Sequence, residues 1–282
     1  MKTKHLPALT MISTGIKSIL NLKILLSLVS IVTLTSCVIF RPSAVWQTDD
    51  SSIQVKNCSI SSTGNVFMNL FGLIKAEFMP ASIKIEWEDQ ILFVDPLSVD
   101  DTVKADYIFI THNHLDHFSK EDIINLSKPG TVIVGPASVT KKLPDGNYLT
   151  ASIGDTIIHD KISCEVVPSY NLNSKIHKQG NDYLGYVITC DDVRIYVAGD
   201  TDFIPEMKEL TNITVAIIPI GEGKTAMDPQ AAAQAVNYIK PGIAIPVHYE
   251  LGKGKEKRFA ENVDKNIKVV YFQPELLKSA LY

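Results

Sequence analysis

Residues 107–118 read YIFITHNHLDHF, so three imidazoles and a carboxylate (His112, His114, Asp116 and His117) fall within six residues, directly after an apolar run. In an extended chain His112 and His114 project to one side, and a turn into the segment after Ser119 brings Asp116 and His117 round to a neighbouring position. Two adjacent cation positions result. Imidazole and carboxylate suit zinc, with manganese or iron as alternatives, and a cluster without cysteine is unlike a closed structural zinc site. A lone histidine at a strand end is ordinarily a packed or solvated side chain. Four ionisable groups crowded at one strand terminus need a compensating partner.

Such a cluster has to be aimed by regular elements. β-branched, apolar runs at 82–87, 91–95, 107–111, 131–135, 162–167, 183–189 and 193–198 read as strands. The near-continuous apolar runs at 214–220 and 242–247 read as strands covered on both faces. Helices fit between them. Asp228 is placed to cap an amino end, Pro229 suits the first helical position, and Pro241 stops the element. Ser119, followed by Glu121 and Asp122, offers a second cap with an acidic first turn. Strands alternating with helices, twice over, predict an α/β fold: an αββα four-layer sandwich with helices on the outer faces. No Pro/Gly/Ser-rich break divides residues 65–282, which are expected to form one domain.

The ordered motifs of that region resemble the metallo-β-lactamase superfamily. HNHLDH matches its HxHxDH. Phe93-Val94-Asp95-Pro96 resembles the strand-end aspartate that supports the metal loop, Gly199-Asp200-Thr201 resembles its Gly-Asp-Thr, and Pro246-Val247-His248 resembles the segment that supplies a late histidine. The branch it looks most like is that of metal-dependent hydrolases including ascorbate-phosphate lactonase and N-acyl-phosphatidylethanolamine phospholipase D. The resemblance implies two divalent ions. One is held by His112 and His114, the other by Asp116, His117 and His248, with Asp200 between them. Where many relatives bring another histidine to the first ion, Val167-Pro168-Ser169-Tyr170 is followed here by Asn171, and we take His177, six residues on, as the replacement. Use of His177 in support of a ligand or toward substrate is the alternative. Paired ions of this kind, about 3.5–4 Å apart, share a water and lower its pKa from 15.7 towards about 7. The implied reaction is attack by a metal-bridged hydroxide on an ester, lactone or phosphodiester, with Asp116 orienting it and passing its proton on. Tyr170, Asn171 and Lys178 flank the same loop and are expected to meet substrate. The rival reading is a noncatalytic metal-binding lipoprotein that captures a ligand.

His5, in the leader, and His159, in a turn-like stretch between two strand runs, have no such company and are expected to be ordinary side chains. Lys224 lies in the polar loop 221–227, which departs from the family's Gly-Gly version and looks longer.

The chain has 282 residues, 45% hydrophobic and 21% charged, an ordinary globular composition without repeats. Residues 1–36 hold four lysines (Lys2, Lys4, Lys17, Lys23) and no acid, so of 27 basic residues 23 remain against 31 acidic ones, or −8. That body is a poor partner for nucleic acid. Within the leader, the uncharged apolar run 24–36 ends in Leu34-Thr35-Ser36-Cys37, which resembles a lipobox. A lipoprotein-type signal peptide over 1–36, lipid attachment at Cys37 and a tether with a lead-in strand over 37–64 are therefore expected. A signal anchor is the alternative, because the uncharged stretch runs on to Phe40. Both readings put the body outside the cytoplasm at a membrane. Without Cys37 the cysteines are Cys58, Cys164 and Cys190, with no regular spacing, and sequence does not choose a pair among them.

Overall fold

The structure is a computed structural model that describes residues 38–40, 52–63, 66–70, 74–99, 103–144, 146–159 and 162–272, the strand residues 38–40, 66–70 and 74–77 by backbone only. The expected leader, Cys37 and His5 lie outside the described residues. The first half carries β1 (Val38–Phe40), β2 (Ser52–Val55), β3 (Cys58–Ser62), β4 (Val66–Leu70), β5 (Ile74–Met79), β6 (Ile83–Trp87), β7 (Gln90–Val94), β8 (Tyr107–Phe109), α1 (Lys120–Leu126), β9 (Val132–Gly135), α2 (Ala137–Thr140) and β10 (Tyr148–Thr150). The second half carries β11 (Thr156–His159), β12 (Ile162–Pro168), β13 (Leu184–Cys190), β14 (Val193–Val197), β15 (Val215–Pro219), α3 (Pro229–Ile239), β16 (Ile243–Val247), β17 (Tyr249–Glu250), α4 (Lys255–Asn262) and β18 (Lys268–Val269).

Two seven-stranded sheets, ordered β10-β9-β8-β7-β6-β3-β2 and β11-β12-β13-β14-β15-β16-β18, are joined by a four-stranded ribbon, β1-β4-β5-β17. Each large sheet is half antiparallel and half parallel. The parallel halves are β7-β8-β9-β10 and β14-β15-β16-β18. Parallel strands require both faces covered, and they are. Ile60, Ile83, Ile85, Leu92 and Phe109 of the first sheet share one buried cluster with Tyr186, Ile188, Ile195 and Ile217 of the second. The opposite face of the first sheet, through Phe93 and Ile108, packs on Ile123 and Leu126 of α1 and Val139 of α2. α3 contacts β15, with Ala232, Val236 and Ile239 buried, and packs along α4. The result is the αββα sandwich.

The caps read from sequence are formed. Asp228 accepts from the backbone of Gln230 and Ala231 at 2.9 and 2.8 Å, and Ser119 accepts from Asp122 at 3.2 Å. All nine strand runs are present, four of them ending a residue or two earlier than the pattern suggests. β8 stops at Phe109 because the Thr111 N–H turns to the Asp95 carboxylate (2.7 Å) instead of a neighbouring strand. Residues 52–62, inside the expected tether and lead-in segment, form the β2–β3 hairpin that extends the first sheet, with Cys58 and Ile60 fully buried. Among the described residues no helix is long and apolar enough to cross a membrane.

Candidate metal centre

The chemistry-bearing residues leave the carboxyl ends of the parallel strands, where open α/β sheets characteristically place their ligands. Asp95 follows β7, His112 to His117 follow β8, Asp200 follows β14 and His248 follows β16. The tight turns at two of these ends are made by non-glycine residues with left-handed backbone, Asp95 (φ 46°) and His248 (φ 55°). Conformations of this kind cost of order 1–3 kcal/mol and persist where the surroundings impose them.

Three overlapping groups converge, each with its ligand atoms within 4.8 Å of one another: His112, His114 and His177; His112, His117 and Asp200; Asp116, His117 and His248. Asp200 lies between them, Oδ2 4.0 Å from His112 Nε2, Oδ1 3.2 Å from His117 Nε2 and 3.5 Å from His248 Nε2. His177 Nε2 stands 2.9 Å from His114 Nδ1, and His248 Nε2 3.2 Å from Asp116 Oδ2. All seven residues singled out in the sequence as metal ligands are therefore in one place. His177 is fully buried in the group with His112 and His114, whereas the Asn171 amide donates to Asp202 (3.1 Å) and its backbone N–H closes the loop on the His177 carbonyl (2.6 Å).

These donors fit a divalent cation. Among the described residues His112 Nε2, His117 Nε2 and Asp200 Oδ1 are buried with no hydrogen-bond partner. Buried polar atoms left so cost about 1–3 kcal/mol each, and a shared cation satisfies them together. The other ring nitrogens of His112, His114, His117 and His177 are held from behind, while His248 Nδ1 is buried without a partner among the described residues. Asp95 accepts from His117 Nδ1 (2.8 Å) and from the Thr111 hydroxyl (2.6 Å), and that hydroxyl in turn accepts from His112 Nδ1 (2.9 Å). One buried carboxylate thus fixes both rings with Nε2 aimed at the cation position. The Tyr183 hydroxyl reaches His114 Nε2 (3.3 Å), and His177 Nδ1 donates to the Asp200 carbonyl (3.4 Å). Glycine is required twice. A Cβ on Gly199, at φ 65°, would press on the Leu184 carbonyl and Ser169 hydroxyl at 2.9 Å, and one on Gly221 would collide with the His248 carbonyl.

Electrostatics divide the ligands. Burial pushes the His112 imidazole well below its ordinary value, and His114 and His177 are lowered for the same reason. Burial alone would lower His117 as well, but the carboxylates of Asp200, Asp95 and Asp116 carry it well above. Asp116 and Asp200 are raised by burial, then brought well below the usual carboxylate range by imidazoles, chiefly His117 for Asp116 and His248 and His117 for Asp200. Asp116 is the most open of the carboxylates: its side chain is 26% exposed against 3% for Asp200 and none for Asp95.

Of the expected substrate-facing residues, Tyr170 donates its hydroxyl to Glu206 (3.0 Å) and lines a cavity of about 510 Å³ with Val167, Gln179, Tyr196 and Ile204, none of them a ligand. Lys178 is exposed on the turn after His177, and Lys224 is exposed on its own loop. His159 bonds the Tyr107 hydroxyl (2.8 Å), an ordinary structural contact. Sequence reading passed over Thr111, Ser169 and Tyr183. Thr111 was legible as the hydroxyl immediately before the first histidine, but nothing local marks Tyr183, which reaches His114 only through the fold.

The Beta-lactamase superfamily domain matches residues 86–249. The chain is 33% identical over 225 residues to a UPF0173 metal-dependent hydrolase of Thermococcus kodakarensis, covering 72% of this chain and 97% of that one. It is 29% identical over 219 residues to another from Methanopyrus kandleri, covering 69% and 94%. A crystal structure from Parabacteroides distasonis superposes with a TM-score of 0.64 at 31% identity, over 80% of this chain and 98% of that one. The metallo-beta-lactamase fold protein YhfI of Bacillus subtilis shares the fold, with a TM-score of 0.60 at 13% identity over 77% and 96%.

Proposed function

The chain belongs to the β-lactamase superfamily of metal-dependent hydrolases, and from that membership we propose that it holds two divalent ions, zinc by preference, and cleaves an ester, lactone or phosphodiester bond. The observation that carries the reading is the convergence of His112, His114, His177, Asp116, His117, Asp200 and His248, with buried donor atoms otherwise unsatisfied. His112, His114 and His177 would hold one ion, Asp116, His117 and His248 the other, and Asp200 both. Ions bound there supply an activated water and stabilise charge developing on the substrate oxygen. The protein does the rest. Asp95 and Thr111 keep the His112 and His117 donors aimed, so nothing reorganises during the reaction. Asp116, ionised and open to the site's mouth, accepts a proton and returns it to the leaving group.

Exposed apolar side chains next to the ligand-bearing segments suit a substrate with an apolar part. Leu115, Leu172 and Ile176, neighbours in sequence of His114, Asn171 and His177, are 65%, 58% and 51% exposed. We propose further that the chain is exported and lipidated at Cys37, or held by a signal anchor, and acts on a lipid-like or cell-envelope substrate at a membrane face. Metal-loaded full-length protein is expected to hydrolyse bis-p-nitrophenyl phosphate or a lactone, and Asp116→Ala to lose that turnover while keeping its fold. Folded, metal-loaded protein inert across an ester, lactone and phosphodiester panel would overturn the reading. Incorporation of a fatty-acid analogue, lost in Cys37→Ala, tests the anchor separately.

A further inference from the structure

At the end of the sandwich opposite the metal centre, two tight turns from different sheets are clamped together. The β2–β3 turn, with Lys56 at φ 53°, meets the β13–β14 turn, with Asp191 also at φ 53°. Asn57 Nδ2 donates to Asp191 Oδ2 (2.6 Å), Trp87 Nε1 donates to the same oxygen (3.1 Å), and Lys56 pairs with Asp192. The next residue on one turn is Cys58 and the preceding one on the other is Cys190, both fully buried. The Asn57–Asp191 bond ties together the chain neighbours of the two cysteines, which share one buried cluster, and the Cys58 thiol donates to Asn57 Oδ1 (3.8 Å) within that clamp. Cys164, the third buried cysteine, lies within β12 and in neither turn, its thiol on the Glu165 carbonyl (3.8 Å).

We propose that Cys58 and Cys190 are a disulfide-forming pair that staples the two sheets to each other when the chain folds in an oxidising compartment. Either thiol can open the exchange as its thiolate; Cys58, whose value the neighbouring Cys190 thiol holds below the ordinary one, is taken as the first. The oxidant is a disulfide of low molecular weight or of a carrier protein. Cys58 thiolate attacks one of its sulfurs and releases the first thiol; Cys190, giving up its proton, then attacks the Cys58 sulfur and releases the second. One external disulfide is consumed, two thiols leave, and one internal bond forms. Because both sulfurs are buried, the exchange runs while the turns close on each other. The bond spans residues 58 to 190, a long loop, and such cross-links restrict the unfolded chain most. It sits at the far ends of β7 and β14 from Asp95 and Asp200, so the metal site is left as it is.

The test is full-length protein refolded in a glutathione redox buffer or in reductant, alkylated, and mapped by mass spectrometry without reduction. The expected result is a cross-linked peptide pair containing Cys58 and Cys190, with Cys164 alkylated. It should come with a thermal midpoint roughly 5–15 °C above that of the reduced protein and unchanged metal content. Cys164→Ser should retain the cross-link and the shift, while Cys58→Ser and Cys190→Ser lose both. Refolded wild-type protein in which Cys58 and Cys190 are both alkylated, or in which Cys164 is a partner, would overturn the proposal.

Discussion

Replacing Asp95 by asparagine changes no ligand and almost no volume, yet the structure assigns it a large effect. The Asp95 carboxylate is fully buried and accepts three bonds, from Thr111 N (2.7 Å), Thr111 Oγ1 (2.6 Å) and His117 Nδ1 (2.8 Å). The Thr111 hydroxyl and His117 share Oδ2 while the Thr111 N–H takes Oδ1, so an asparagine oxygen keeps the first two only by setting its NH₂ against the Thr111 N–H; turned to keep that N–H, it sets its NH₂ against His117, donor against donor. The imidazole then either loses the bond or moves its proton to Nε2, the nitrogen that faces Asp200 at 3.2 Å. A hydrogen bond to a charged group contributes about 1.5–3 kcal/mol, and outer partners of metal-binding histidines are typically worth 10–100-fold in affinity. Asp95→Asn should therefore bind zinc roughly 10–100-fold more weakly. Competition against a chromophoric chelator near neutral pH measures this, with thermal unfolding of the metal-free protein as a check that the fold survives. A folded Asp95→Asn protein with wild-type zinc affinity would refute the assignment of Asp95 as the group that orients His117.

Metal binding should release protons and tighten as pH rises, because the carboxylates around His117 hold it protonated without metal while His112 has no proton to lose; calorimetry in buffers of different ionisation enthalpy counts the protons, and buffer-independent heats would contradict it. His177→Ala should cost one equivalent of bound metal and Asn171→Ala none, read by elemental analysis at saturating zinc. Asp116→Ala should lower kcat by about 10²–10⁴ on whichever panel substrate is turned over. Gly221→Ala should displace His248, since the added methyl meets its carbonyl oxygen; overpacking of about 1–3 kcal/mol corresponds to a fall of several degrees in melting temperature, and an unshifted midpoint would speak against the close approach.

Much of this molecule is legible in its sequence where local patterns decide the outcome. The parallel-strand runs at 214–220 and 242–247 carry no alternation because both faces are buried, and β15 and β16 lie there. The cap at Asp228 needs only its own side chain and the next few backbone amides. The HNHLDH loop likewise declares its chemistry by residue type. Legibility fails where partners come from afar. Residues 52–62 read as polar lead-in because only Cys58 and Ile60 turn fully inward, and their value lies in pairing with β6, which no local pattern encodes. Tyr183 reads as the start of a strand, and its contact with His114 exists only once β12 and β13 bring the loop between them over the site. The choice among the cysteines needed the packing of one sheet on the other.

The claim under all of this is that residues distant in sequence share a pair of divalent ions. Anomalous scattering at the zinc edge from crystals of the metal-loaded protein tests it most directly. Two peaks are predicted, one among His112, His114 and His177, the other among Asp116, His117 and His248, with the Asp200 carboxylate reaching both. Zinc bound elsewhere, or no anomalous density in this cluster at saturating metal, would contradict it.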